Sequence, residues 1–114
     1  MTVHISLSEL VGSPHAVSSA DGTFVYDRIA DGLRRGESVI LSLAGVEDVT
    51  SAFLNAAVGQ LYAEFGEHQI REKLRVEDAD GDHLALLKRV VERAKEFFRD
   101  AEHYNEAFSG ALNE

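Results

Sequence analysis

The chain has 114 residues, 45% hydrophobic and 27% charged, which suits one packed domain and argues against a disordered chain. It has no cysteine, which excludes disulfides, thiolate catalysis and thiolate metal sites. Its formal net charge is −9, from 20 acidic and 11 basic residues, and this opposes nucleic acid and anionic membrane surfaces as partners.

The opening residues, MTVHISLSELVG, show no basic n-region and no long apolar run, so no signal peptide is expected. No apolar stretch approaches the ~18 residues of a membrane span. A cytoplasmic protein is the expectation. Val3, Ile5 and Leu7 alternate with His4 and Ser6, which predicts a half-buried strand. Gly12-Ser13-Pro14 breaks regular structure, and Ala16-Val17-Ser18 predicts a very short strand. A helix is predicted from Gly22 to Arg34, with Ser19 or Asp21 as its cap. Its apolar stripe is Phe24, Ile29 and Leu33, with Val25 at the edge, and Arg34-Arg35-Gly36 stops it.

Ser38 to Leu43 is apolar on nearly both faces, the pattern of a central strand covered by helices. A short turn, Ala44 to Val49, leads to Thr50-Ser51 and a second helix from Ser51 to Phe65. Phe53, Leu54, Ala57, Val58, Leu61, Tyr62 and Phe65 recur at helical spacing, and Ala56, Ala57 and Gly59 permit close packing on the sheet. A short helical turn follows over Glu67 to Lys73 with Ile70 inward, then a strand over Leu74 to Glu77. Asp78 to Asp82 is an acidic turn that reads as a solvated loop and helix cap. The last helix is predicted from Asp82 to about Tyr104, with Leu84, Leu87, Val91, Ala94, Phe98 and Ala101 as its stripe and Leu86, Val90 and Phe97 widening it. That width also suits a homodimer through the C-terminal helix. The expected domain is residues 1–104, with 105–114 as a C-terminal tail. Strands alternating with helices predict an α/β domain with a small mixed β-sheet packed with helices.

Chemistry-bearing motifs are few. The five histidines have no pair at i, i+4 on a helix, and the Asp78 to Asp82 turn has no ligand at the far end of a calcium loop, so no metal site is assigned. There is no phosphate-loop or dinucleotide-binding glycine pattern and no nucleophile elbow around Ser51, so no catalytic residue and no cofactor is assigned. Thr50 and Ser51 remain. A hydroxyl at a helix start caps a backbone N–H, worth about 1 kcal/mol. It is also a phosphorylation candidate, since a phosphate adds about −1.5 to −2 charges and the helix dipole tolerates it.

The stretch LSLAGVEDVTSAFLNAAVGQLYAEFG resembles the signature of the STAS-like domain family of unknown function, a strand with an "LDFSGV"-like start, a "TSSF" or "TSAF" turn and a helix. The flanks resemble it too, through the "G…A.S.DG" segment, the first helix and the LLKRVVERAKEFF-like last helix. That family is in turn similar to the STAS domains of anti-sigma factor antagonists, which bind a serine-kinase anti-sigma factor and are released by phosphorylation. Laid on this chain, their aspartate falls on Thr50 and their first serine on Ser51. Their usual phosphoacceptor falls on Ala52 and their glycine on Phe53, so either Ser51 stands in as the acceptor or phosphorylation is absent. The resemblance implies a STAS-like, non-catalytic bacterial regulator. Its protein partner would be a kinase-like ATPase or another regulator, docked on Gly45, Asp48, Thr50, Ser51 and Asn55. The alternative is a small-anion or nucleotide-binding domain at the same helix start, with Arg71, Lys73 or Arg75 as the cation.

Overall fold

Alternating residues in the strands decide how many faces of the sheet are covered. The computed structural model describes the backbone of residues 1–112 and the side chains of residues 1–99. Strands β1 (Thr2–Ser6), β3 (Ser38–Ser42) and β5 (Leu74–Glu77) form one sheet in the order β1-β3-β5. Both pairings are parallel, so the sheet expected to be of mixed sense is parallel throughout the described residues. The register puts Val3 beside Val39 and Leu74, and Ile5 beside Leu41 and Val76. Residues in register share a face, so this face is apolar. The other face carries His4, Ile40 and Arg75, then Ser6, Ser42 and Glu77, and none of these is buried. Helices therefore cover the sheet on one side only. This corrects the expectation that β3 is covered on both faces: its neighbours are polar where its own Ile40 is apolar.

Between β1 and β3 come the short helix α1 (Leu7–Val11), the two-residue strand β2 (His15–Ala16) and helix α2 (Ser19–Arg34). The cap of α2 is Ser18, whose Oγ accepts from the Asp21 N–H at 3.1 Å, in place of the expected Ser19 or Asp21. The buried face of α2 is Gly22, Val25, Ile29, Ala30, Gly32 and Leu33. Phe24, expected in the stripe, is 53% exposed. The series 22, 25, 29, 32 keeps strict three- and four-residue spacing, and Phe24 lies about 100° off it.

Between β3 and β5 the chain forms the two-residue strand β4 (Asp48–Val49), then a helix in pieces. These are α3 (Ser51–Leu54), a π turn (Asn55–Gly59) and α4 (Leu61–Glu64), followed by α5 (Glu67–Lys73). The spacing predicts an uninterrupted helix here. The widened turn lies where small residues let two helices approach. An ideal Cβ on Gly22 of α2 would stand 2.5 Å from the Phe53 carbonyl oxygen and 2.8 Å from the Ala56 Cβ. On the other side α6 (Gly81–Leu112) packs through Leu87, Val90 and Ala94. The small residues thus serve helix–helix contacts, where packing on the sheet was expected. The α6 backbone also continues past Tyr104, through most of the segment expected as a tail. Leu84, expected inside the stripe, is 40% exposed.

Two ion-pair clusters fasten the helices. Arg34 of α2 donates from Nε and Nη2 to the two Glu64 carboxylate oxygens, each at 2.6 Å, and the Tyr26 hydroxyl donates to the same carboxylate at 3.2 Å. Glu67 of α5 meets Lys95 Nζ of α6 at 3.1 Å and Arg71 at 2.9 Å. The hydrogen bond from Arg34 holds the Glu64 carboxyl below its ordinary value, and the bond from Lys95 does the same for Glu67. Burial pushes the Tyr26 phenol up, with the Glu64 charge beside it acting in the same direction.

Two predictions follow from this packing. An exposed helical Gly→Ala change gains about 1 kcal/mol. Gly22→Ala should instead lose roughly 1–3 kcal/mol, because the new methyl meets backbone oxygen; urea unfolding reads the sign. For Glu64, a carboxyl depressed in the folded state gives stability that is full above the unfolded value, near 4.5, and is lost as pH falls through the lower folded value. The melting-temperature difference between the natural chain and Glu64→Gln should stay level above about pH 5 and narrow on further acidification.

Candidate functional site

The loop between β3 and α3 is held at both ends. Ser42 Oγ donates to Asp78 Oδ2 at 2.7 Å and accepts from the Ala44 N–H at 3.2 Å, joining the ends of β3 and β5. Gly45 turns the chain at φ +79°, a left-handed conformation that favours glycine, and Ser8 Oγ donates to the Ala44 carbonyl at 3.1 Å. Beyond the turn, the Pro14 carbonyl accepts from the Glu47 N–H at 2.8 Å. The strands β2 and β4 then pair in parallel, His15 with Asp48 and Ala16 with Val49. His15 Nδ1 lies 2.6 Å from Asp48 Oδ2 across this pair.

The two hydroxyls at the helix start separate here. Thr50 Oγ1 accepts from the Phe53 N–H at 3.1 Å and donates to the Val17 carbonyl at 2.7 Å. It caps α3 and ties that helix to the segment between β2 and α2, which is a structural role. Ser51 is exposed, and no described residue takes its hydroxyl. Ala52, at the position matched to the usual phosphoacceptor, is also exposed.

Ser51 opens onto a groove of about 520 Å³ between α3, the π turn and α6. Ser51, Ala52, Asn55 and Gln60 form one wall. Val90, Ala94, Phe97 and Phe98 give the apolar surface, and Arg93 is the cation beside it. Phe97 is 65% exposed and stacks edge-to-face on Phe98, with ring centroids 5.0 Å apart. Of the expected contacts, Ser51 and Asn55 line this groove, while Gly45 and Asp48 are exposed on the loop leading to it. The cations expected for a small anion, Arg71, Lys73 and Arg75, do not line it. The sequence alone does not mark Arg93 and Phe97 as site residues. The available signal was Arg89, Arg93 and Phe97 at i, i+4, i+8 on one helix face.

The family model for a STAS-like domain of unknown function (DUF4325) matches residues 21–84, from the first turn of α2 into the first turn of α6. The chain belongs to this family. No curated protein and no solved structure matches it. The match takes in the pieces of the STAS-like domain that build the loop and the first groove wall. The second wall, Val90 to Phe98, follows the matched stretch. Among the described residues no group of three or more His, Cys, Asp or Glu side chains is placed to hold a metal ion, and no helix is long and apolar enough to cross a membrane.

The separation of roles gives a paired prediction. Thr50→Ala should cost about 1 kcal/mol or more, since it removes the cap and leaves the Val17 carbonyl without its donor. Ser51→Ala should stay within about 0.5 kcal/mol of the natural chain. Chemical denaturation of the two variants side by side reads the difference.

Proposed function

We propose that this STAS-like domain is a non-catalytic regulatory module that binds another protein. Its docking surface is Gly45, Asp48, Ser51 and Asn55 with the adjoining groove, and Thr50 holds that surface in place. The observation that carries the reading is Ser51: exposed, without a described hydrogen-bond partner, and set on the rim of an apolar groove. A hydroxyl in that setting is accessible to modification. A phosphate on it would add about −1.5 to −2 charges at the mouth of a surface that buries apolar area on docking.

Such a charge acts on binding far more than on folding. At the helix start it meets a favourable dipole, so the fold tolerates it. At a closed interface it must be desolvated or paired, and each is costly. By family resemblance, a kinase-like ATPase or another regulator is the partner class that suits such a switch.

Affinity capture of a tagged full chain from its own cells, read by mass spectrometry, identifies the partner and any phosphate on Ser51 or Thr50. With the partner in hand, Ser51→Asp should leave circular dichroism and melting temperature near those of the natural chain and weaken binding by roughly tenfold or more. Equal affinity for both chains would sink the switch.

A further inference from the structure

Helix α6 turns two faces toward the body. Val90, Ala94 and Phe97 line the groove at Ser51. Leu87, Val91 and Lys95, spaced four apart on a neighbouring face, line a second hollow of about 240 Å³ between the π turn, α5, β5 and α6. Val58, Ile70, Leu74 and Val76 complete its apolar lining, and Tyr62, Glu67 and Arg71 join Lys95 as its polar lining. Tyr62, Glu67 and Lys95 also line a smaller hollow of about 170 Å³, with Phe98 and Arg99. The polar groups therefore sit where the two hollows meet.

Charge at this junction is unbalanced. Glu67 takes Arg71 at 2.9 Å, Lys95 at 3.1 Å and Arg99 at 3.8 Å. Lys95 also reaches Glu92, at 4.0 Å. Three cations thus face two carboxylates, and one positive charge is left over in a chain whose formal total is −9. The Tyr62 hydroxyl beside them has no hydrogen-bond partner among the described residues. Burial pushes its phenol up, so it keeps its proton at neutral pH and is a donor. A carboxylate at the junction would accept from Tyr62 and Lys95 and cancel the surplus charge.

We propose that this hollow binds a small amphipathic carboxylate, a fatty acid of medium length in chemical class, with its tail among Val58, Ile70, Leu87 and Val91 and its head group on Tyr62, Lys95 and Arg71. At roughly 30 Å³ for each methylene-sized group, the larger hollow takes about eight carbons. A bare anion leaves the apolar lining unused. A neutral hydrocarbon leaves the Tyr62 hydroxyl and the surplus cation unanswered. Only a molecule with both parts satisfies both linings. The ligand does not compete for the Ser51 groove, because none of the residues that line the larger hollow lines that groove.

Octanoate is the probe, titrated into the full chain and followed by amide chemical shifts. The expected result is one saturable site of millimolar affinity or tighter, with shifts centred on Tyr62, Ile70, Val91 and Lys95. Octanol should bind roughly tenfold or more weaker for want of the charge. Acetate should bind about a hundredfold or more weaker for want of the tail. Tyr62→Phe removes a hydroxyl that has no described protein partner, so the melting temperature should hold while octanoate affinity falls roughly tenfold. Lys95→Met keeps the apolar stem and removes the charge, and should weaken octanoate to a similar degree, with circular dichroism verifying the fold. Absence of saturable binding overturns the assignment. So does equal affinity for octanoate and either control, an affinity untouched by both variants, or shifts confined to the Ser51 groove. None of these outcomes bears on the Ser51 docking surface, which stands or falls on the affinity of Ser51→Asp for its own partner.

Discussion

The structure depends on one close approach, between Gly22 of α2 and the backbone of Phe53 and Ala56. A helix normally keeps a neighbour about 8–10 Å away, axis to axis, because side chains intervene. Glycine removes the side chain at the crossing point. This brings the first turn of α2 against the start of the next helix, and much follows from it. Val25, Ile29 and Leu33 are carried in series onto the Val3–Val39 face of the sheet. Phe53 and Leu54 are driven inward, at 0% and 1% exposure. Residues one step away on the same turn, Ser51 and Ala52, are left outside. The exposure of the proposed docking surface is thus the reverse side of a core contact.

The loop before that helix sends Leu43, Val46 and Val49 to the core, and polar ties supply the rest of its order. Ser42 with Asp78, Ser8 with the Ala44 carbonyl, His15 with Asp48 and Thr50 with the Val17 carbonyl each join residues at least 33 positions apart in sequence. Any one such bond contributes only about 1 kcal/mol. Their value lies in number and in reach, because each joins the loop to a different element. A surface built this way presents its side chains in a fixed arrangement before a partner arrives, which lowers the ordering cost of association.

How much of this was legible in the sequence depends on the distance over which the deciding interaction acts. The Ser38 strand, the Glu67 to Lys73 helix and the Leu74 strand were legible because period and stop signals agree there. The α/β class and the family followed from the same stretch. Thr50 and Ser51 were not separable, because both are good caps and only the Val17 carbonyl, from a segment 33 residues earlier, decides between them. Phe24 misled because a bulky aromatic outweighs a glycine in any hydrophobic pattern, whereas the packing was governed by Gly22. The open face of the sheet was hidden for a similar reason: β3 alone reads as buried on both sides, and only its register with His4 and Arg75 shows one side to be polar. The π turn leaves no trace in the apolar spacing at all.

Electrostatics give the groove a character that the whole-chain charge conceals. At physiological salt a charge is screened over about 8 Å, so a distant acidic partner meets only a weak repulsion from the −9 total. At contact the balance is local, and the cation that lines the groove is Arg93. A negative charge placed on Ser51 works at this same short range. Ser51 and Arg93 line the same groove, so that charge would act first on whatever docks there and only weakly on the fold.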